Sequence, residues 1–182
     1  LEVETRTTSM MLRVMKFVME HTNFSVSIRP HPNEDRQSYE KLREFFGERL
    51  EISEEVDAAE WIAGCHRIVG LASSLYIDAS LLSVPVICLD KLTNVVKETK
   101  EYEPSLTLIY EAAYLPETFE ELTSLIEKDI EIKTSAIFDE LMRTNFFGDY
   151  DDPIRHVADS IQFKKRNVFT WFIKAGLDFF DF

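Results

Sequence analysis

Two short segments of this chain carry side chains that suit an anionic ligand. The first, Arg29-Pro30-His31-Pro32, supplies a guanidinium and an imidazole on a turn that two prolines make stiff. The second, Ser73-Ser74, supplies two hydroxyls and, at the start of an expected helix, unpaired backbone N–H groups. All of these groups can donate hydrogen bonds to phosphate oxygens. Together they suit a phosphate better than any other common ligand.

A carboxylate follows the serine pair at a helical spacing. Asp78 lies four residues after Ser74, and therefore on the same face of the expected helix. The rise of an α-helix puts it about 6 Å farther along the axis. That is close to the separation between a nucleotide phosphate and its ribose. Asp78 is therefore predicted to accept hydrogen bonds from ribose hydroxyls.

Each of these groups also has an ordinary structural explanation. Pro-His-Pro can be no more than a stiff loop, with Arg29 paired to Glu34 or Asp35. Either serine of the pair can be a plain helix N-cap, which is common. The carboxylate of Asp78 can be a solvated surface group. The sequence leaves these alternatives open.

The apolar pattern places both segments directly after short strands. Phe24–Ile28 alternates like a strand before the Pro-His-Pro turn, and Arg67–Leu71 forms an apolar run before the serine pair. Further strands are predicted at 49–52 and 85–89, and helices at about 8–21, 38–46, 53–64 and 73–82. Strands that alternate with helices predict a Rossmann-like α/β fold, a parallel sheet with helices on both faces. Such sheets bind ligands where their strands end.

The alternation of strand and helix patterns becomes less regular after Asp90. A further strand is predicted at 106–112 and a helix at about 117–130. From about Ser135 the pattern favours helices, with Pro153 at an early helical position. The sequence therefore predicts a domain over 1–150 and a helical C-terminal extension over 151–182.

Composition narrows the classes of function. The 182 residues are 45% hydrophobic and 29% charged, which is typical of a globular domain. A net charge of −13 opposes general binding of nucleic acid, so an anion site needs a local group of cations such as Arg29, His31 and Arg36.

The two cysteines show no metal-binding arrangement. Cys65 and Cys88 lie in or beside apolar runs, far from the spacing of a metal site. They are predicted to be buried, reduced thiols, which is typical of a cytoplasmic protein.

The motifs resemble those of a known group of enzymes. Arg29-Pro30-His31-Pro32 and Ser73-Ser74-x-x-x-Asp78, with Pro85-Val86-Ile87 after them, resemble the donor-binding C-terminal half of GT-B glycosyltransferases. The likeness is to enzymes of bacterial surface polysaccharide synthesis, the surface carbohydrate biosynthesis proteins. The His-Pro and Ser-Ser pair resembles the motifs with which sialyltransferases and capsule Kdo transferases hold a CMP-sugar. The serine run with its later proline also resembles the CDP-glycerol glycerophosphotransferases of teichoic acid synthesis. The resemblance covers about Phe24 to Leu89.

This resemblance implies roles for five residues. His31, Ser73 and Ser74 would bind the donor phosphate, and Arg29 would support the turn or reach a phosphate. Asp78 would contact the ribose or orient its helix. The family uses no tightly bound metal or cofactor, and the nucleotide-activated donor, of CMP or CDP type, is a substrate. The catalytic base is expected in an N-terminal acceptor domain that is absent here, so the isolated chain is predicted to be inactive.

The same resemblance implies partners and a location. A glycan or lipid-linked acceptor would be held by the N-terminal domain, in the cytoplasm, and no nucleic acid is expected. The aromatic residues of 168–182 would pack against the sheet or the other half. The sharper alternative is a peripheral contact with the inner face of the cell membrane, where lipid-linked acceptors lie.

Two competing functions stay open at this point. A UDP-sugar 2-epimerase-like enzyme shares the predicted architecture but requires further acids and a histidine from a complementary domain. A non-catalytic α/β interaction module would use both motifs only to cap and turn the chain. The loss or retention of ligand affinity after removal of the serine hydroxyls separates an enzyme from such a module.

Overall fold

The computed structural model of the chain describes residues 2–30, 36–55, 57–93, 105–133, 138–140 and 168–173. The first half contains helix α1 (Glu2–His21), strand β1 (Ser25–Pro30), helix α2 (Arg36–Phe46), a 3₁₀ turn (Gly47–Arg49), strand β2 (Leu50–Ile52), helix α3 (Ala58–Ala63), strand β3 (Arg67–Gly70), helix α4 (Leu75–Leu81) and strand β4 (Val86–Cys88). Helices α5 (Asp90–Thr93), α6 (Ser105–Glu111) and α7 (Phe119–Glu127) and strand β5 (Val168–Ile173) follow. Within these residues, no helix has the length and apolar character needed to cross a membrane.

The strands form one five-stranded sheet in the order β2-β1-β5-β3-β4. Every neighbouring pair is parallel, so the predicted α/β class with a parallel sheet is confirmed. Strands β1 and β2 extend outward on one side of β5, and β3 and β4 extend outward on the other. After β2 the chain therefore crosses to the other side of β5, where β3 and then β4 are added in the opposite direction across the sheet.

Helices pack on both faces of the sheet. Neighbouring residues along a strand therefore belong to two different hydrophobic cores, one on each face. On β3, Ile68 packs with helices α3, α4 and α6, whereas Val69 packs with α1, α2 and α7. On β4, Val86 and Cys88 join the first core and Ile87 joins the second. This is the alternation expected of a strand that is buried on both sides.

The predicted helical tail is wrong at Val168–Ile173, which forms the central strand β5. All six of its residues, Val-Phe-Thr-Trp-Phe-Ile, are β-branched or aromatic, and such residues favour strands. A short apolar run has no periodicity that separates a buried strand from a buried helix. The predicted boundary at residue 150 lies outside the described residues.

The strand predicted at 106–112 is also wrong, since α6 occupies this segment. Alternation of Leu106, Leu108 and Tyr110 favours a strand, but Leu108, Ile109 and Ala112 also follow a helical spacing. The structure packs the helical set against the core beside α4. Burial against that core decided between two patterns that the sequence supports about equally.

Both cysteines are buried, as predicted. Burial, and then the nearby Asp90 carboxylate, raises the pKa of the Cys88 thiol well above its ordinary value. Because the thiolate is the reactive form, a raised pKa keeps this thiol protonated and inert at neutral pH.

We therefore expect Ellman's reagent to modify neither Cys65 nor Cys88 in the native chain. Addition of denaturant should release two reactive thiols per chain, which serves as the internal control. A thiol that reacts within seconds in the native protein would contradict the burial of these side chains.

Candidate functional site

Arg29-Pro30 and the serine pair reach the same edge of the sheet, on either side of β5. Arg29 in β1 and Gly70 at the end of β3 both register with Phe172 of β5, so they lie at the same level. Adjacent strands are about 4.8 Å apart, which puts the backbones of β1 and β3 about 10 Å apart here. Ser73 and Ser74 follow directly after β3. The carboxyl edge, where the parallel strands end, therefore carries Arg29, Pro30 and the two serines.

Arg29 acts as a support in this arrangement. Its Nε donates to the backbone carbonyl of Glu55, at 3.2 Å, and so ties the end of β1 to the loop after β2. The resemblance implies that Arg29 supports its own turn or reaches a phosphate, and both roles stay predictions, because this contact leads to a different loop. His31 lies outside the described residues, and its role stays a prediction.

The two serines have different surroundings. Ser73 is half-buried, and its hydroxyl accepts a hydrogen bond from the N–H of Leu75 at 3.3 Å. Ser74 precedes α4 directly, is exposed, and makes no side-chain cap hydrogen bond. Ser74 is therefore the N-cap residue but makes no capping bond with its hydroxyl, whereas Ser73, one residue earlier, bonds to the first N–H of the helix. Ser74 is the better candidate for direct contact with a ligand.

Asp78 lies one turn beyond Ser74 on the outer side of α4. Both side chains are exposed, while Tyr76, Ala79 and Ser80 on the opposite side are buried. The surrounding protein removes enough water from the Asp78 carboxyl group to raise its pKa. The hydroxyl of Ser74 and the carboxylate of Asp78 thus lie on one exposed face of the helix, as predicted.

A buried carboxylate at the same edge was missed from the sequence. Asp90 follows β4 by two residues and is only 1% exposed. It accepts hydrogen bonds from the N–H of Ala72, at 3.1 Å, and from the hydroxyl of Tyr110, at 2.7 Å. Its place after a strand, matching the place of the serine pair after β3, is the signal that could have found it.

This edge suits a ligand that has an anionic group and nearby hydroxyls. The hydroxyl of Ser74 can donate to the anion, and Asp78 can accept from hydroxyls one helical turn away. The N–H groups of Leu75, Tyr76 and Ile77, which the sequence predicted to be unpaired, donate instead to oxygen atoms of Ser73 and Ser74. In the described part of the chain, no three His, Cys, Asp or Glu residues lie close enough to hold a metal ion together.

Comparison of the chain with protein-family models, with curated proteins and with solved structures found no match. The resemblance to glycosyltransferases therefore stays a prediction from short motifs, and function has to be inferred from the site itself.

Proposed function

We propose that this chain is the donor-binding half of a GT-B-type glycosyltransferase or glycerophosphotransferase. Its donor is a nucleotide-activated, cytidine-type sugar or glycerol phosphate used in the synthesis of cell-envelope carbohydrates. The observation that carries the proposal is the position of Arg29 and of the serine pair at the point where the strand order reverses. Open parallel sheets bind ligands outside the carboxyl ends of their strands at such a point.

The strand order supports a Rossmann-like interpretation of the sheet. Doubly wound sheets of this kind have the order 3-2-1-4-5. The order β2-β1-β5-β3-β4 matches it when β5 takes the place of the first strand. The nucleotide would then lie across the ends of β5 and β3, between Arg29 and the serine pair.

Each residue has a specific role in this proposal. The serine pair binds the donor phosphate, chiefly through the hydroxyl of Ser74, with His31 as a second phosphate contact. Asp78 accepts hydrogen bonds from the ribose, and Arg29 holds the loops that border the site. During transfer the same donors stabilise the negative charge on the leaving phosphate. The acceptor, a glycan or a lipid-linked molecule, and the catalytic base belong to a separate acceptor domain.

Removal of both serine hydroxyls tests the site. We expect Ser73→Ala/Ser74→Ala to weaken binding of CMP and CDP by roughly tenfold or more, equivalent to about 1.4 kcal/mol. Stability should fall by only about 1 kcal/mol, the usual cost of a lost helix cap. Calorimetric titration with CMP, CDP, UDP and GDP gives the affinities, and urea denaturation gives the stability.

Ser124→Ala is the matched control. Ser124 lies on α7, and the next residue, Leu125, accepts from Arg67 at the amino end of β3. This serine is therefore at the opposite edge of the sheet, and its loss should leave nucleotide affinity unchanged. His31→Ala should weaken binding as the serine variant does. Selective binding of UDP favours the epimerase-like alternative, and a folded chain that binds none of the four nucleotides contradicts the proposal.

A further inference from the structure

We propose that Asp90 positions the serine loop, residues 71–74, for ligand binding. Tyr110 in turn holds the Asp90 carboxylate in place. For its ligand the inference rests on the proposed donor site. Its structural part concerns only how the loop is held, and that part is measurable without any ligand.

One buried carboxylate joins three parts of the fold. Asp90 begins α5 just after β4, and its Oδ1 accepts from the N–H of Ala72 in the serine loop. Its Oδ2 accepts from the hydroxyl of Tyr110 on α6. Both donors are neutral, so they orient the carboxylate without neutralising its charge. A buried polar group is costly unless its hydrogen bonds are made, so these contacts hold firmly.

A hydrogen bond between two backbone groups also joins the end of β4 to the end of β3. The N–H of Leu89 donates to the carbonyl of Gly70, at 2.8 Å, directly beside the contact between Asp90 and Ala72. The end of β4 is therefore bonded twice to the end of β3 and to the loop that follows it. Because Ala72 immediately precedes Ser73, these two contacts hold the chain at the point where it enters the serine pair.

Two groups close to Asp90, the phenol of Tyr76 and the thiol of Cys88, are also buried. Burial raises the pKa values of Tyr76 and Cys88 well above their ordinary range, and the charge of Asp90 adds to both shifts. Those two groups stay protonated at neutral pH. The role proposed for Asp90 is the geometry of its two hydrogen bonds.

Two substitutions of Asp90 are expected to have different effects. In Asp90→Asn, the amide oxygen still accepts from Ala72 and the amide nitrogen can donate to the oxygen of Tyr110. In Asp90→Ala, both contacts are lost. We expect Asp90→Ala to speed amide hydrogen exchange at Ala72 and the serines at least tenfold and to weaken CMP and CDP binding at least tenfold. Asp90→Asn should keep both quantities within about threefold of the wild-type chain.

Tyr110→Phe keeps the backbone contact and removes one anchor, so we expect exchange at Ala72 to rise by about threefold. Ser124→Ala serves again as the control that should change neither quantity. Unchanged exchange at Ala72 in Asp90→Ala would overturn the proposal. If Asp90→Ala does not fold, unchanged exchange in Tyr110→Phe overturns it instead. Faster loop exchange in a protein whose wild type binds no nucleotide supports the positioning role and refutes the proposed donor function.

Discussion

Proline in place of Thr170 is expected to destabilise the fold strongly. Thr170 lies in the middle of β5 and registers with Ser27 of β1 and Ile68 of β3. Proline has no N–H to donate and is not accommodated in the middle of a sheet. We expect the free energy of unfolding to fall by on the order of 3 kcal/mol or more, a large share of the stability of a typical domain. Urea denaturation followed by far-ultraviolet circular dichroism measures this loss.

The expected effect is large because β5 joins the two halves of the sheet. Strands β1 and β3 pair with β5 and not with each other, so its loss leaves a β2-β1 pair and a β3-β4 pair. Thr170→Val is the control, since valine keeps the N–H and the β-branched shape. A Thr170→Pro chain that unfolds at the wild-type urea concentration would show that β5 does not occupy the centre of the sheet.

The same strand marks how far the sequence could predict the fold. Strands β1 to β4 were found because each is a local apolar pattern bounded by Pro, Gly or polar residues. The partners of β5 are far from it in the chain, and no local pattern records them. Only the place between β1 and β3 requires Val168–Ile173 to be extended. A local interpretation of an apolar, aromatic run could not supply that requirement.

In the candidate site, too, the features that local sequence patterns determine were predicted, and those that depend on distant residues were not. Ser74 and Asp78 were correctly placed at the start and on one face of a helix, because a strand, a turn and a helix in sequence fix those positions locally. Arg29 was expected on the turn after the first strand but lies within β1. Asp90 was missed because its partners, Ala72 and Tyr110, are 18 and 20 residues away. A buried carboxylate looks like any surface acid in the sequence until its hydrogen-bond donors are known.

Removal of the Trp61 side chain is the other change with a large expected effect. Trp61 of α3 is 6% exposed and packs in the core on the α3, α4 and α6 face. Its indole N–H donates to the hydroxyl of Ser27 in β1, at 3.2 Å, and Ser27 is itself 3% exposed. Trp61→Ala removes a large buried group and leaves that hydroxyl without this donor. We expect a loss of about 3–5 kcal/mol in the free energy of unfolding, measured by urea denaturation.

A double-mutant cycle separates packing from the hydrogen bond. Trp61→Phe keeps most of the ring volume and removes the N–H, and Ser27→Ala removes the acceptor. We expect a coupling of about 1 kcal/mol between these two changes, the usual value of one buried hydrogen bond. A Trp61→Ala loss below about 1 kcal/mol would contradict the packing of this side chain.

The contact between Trp61 and Ser27 also bears on the candidate site. Ser27 lies two residues before Arg29 on β1, and α3 follows the loop that contains Glu55. The indole therefore fixes α3 against β1 close to the point where Arg29 donates to the Glu55 carbonyl. Phenylalanine at position 61 keeps the core filled but removes this directional link. Trp61→Phe should therefore loosen the loop after β2, seen as faster amide exchange around Glu55, while the serine loop held by Asp90 stays protected.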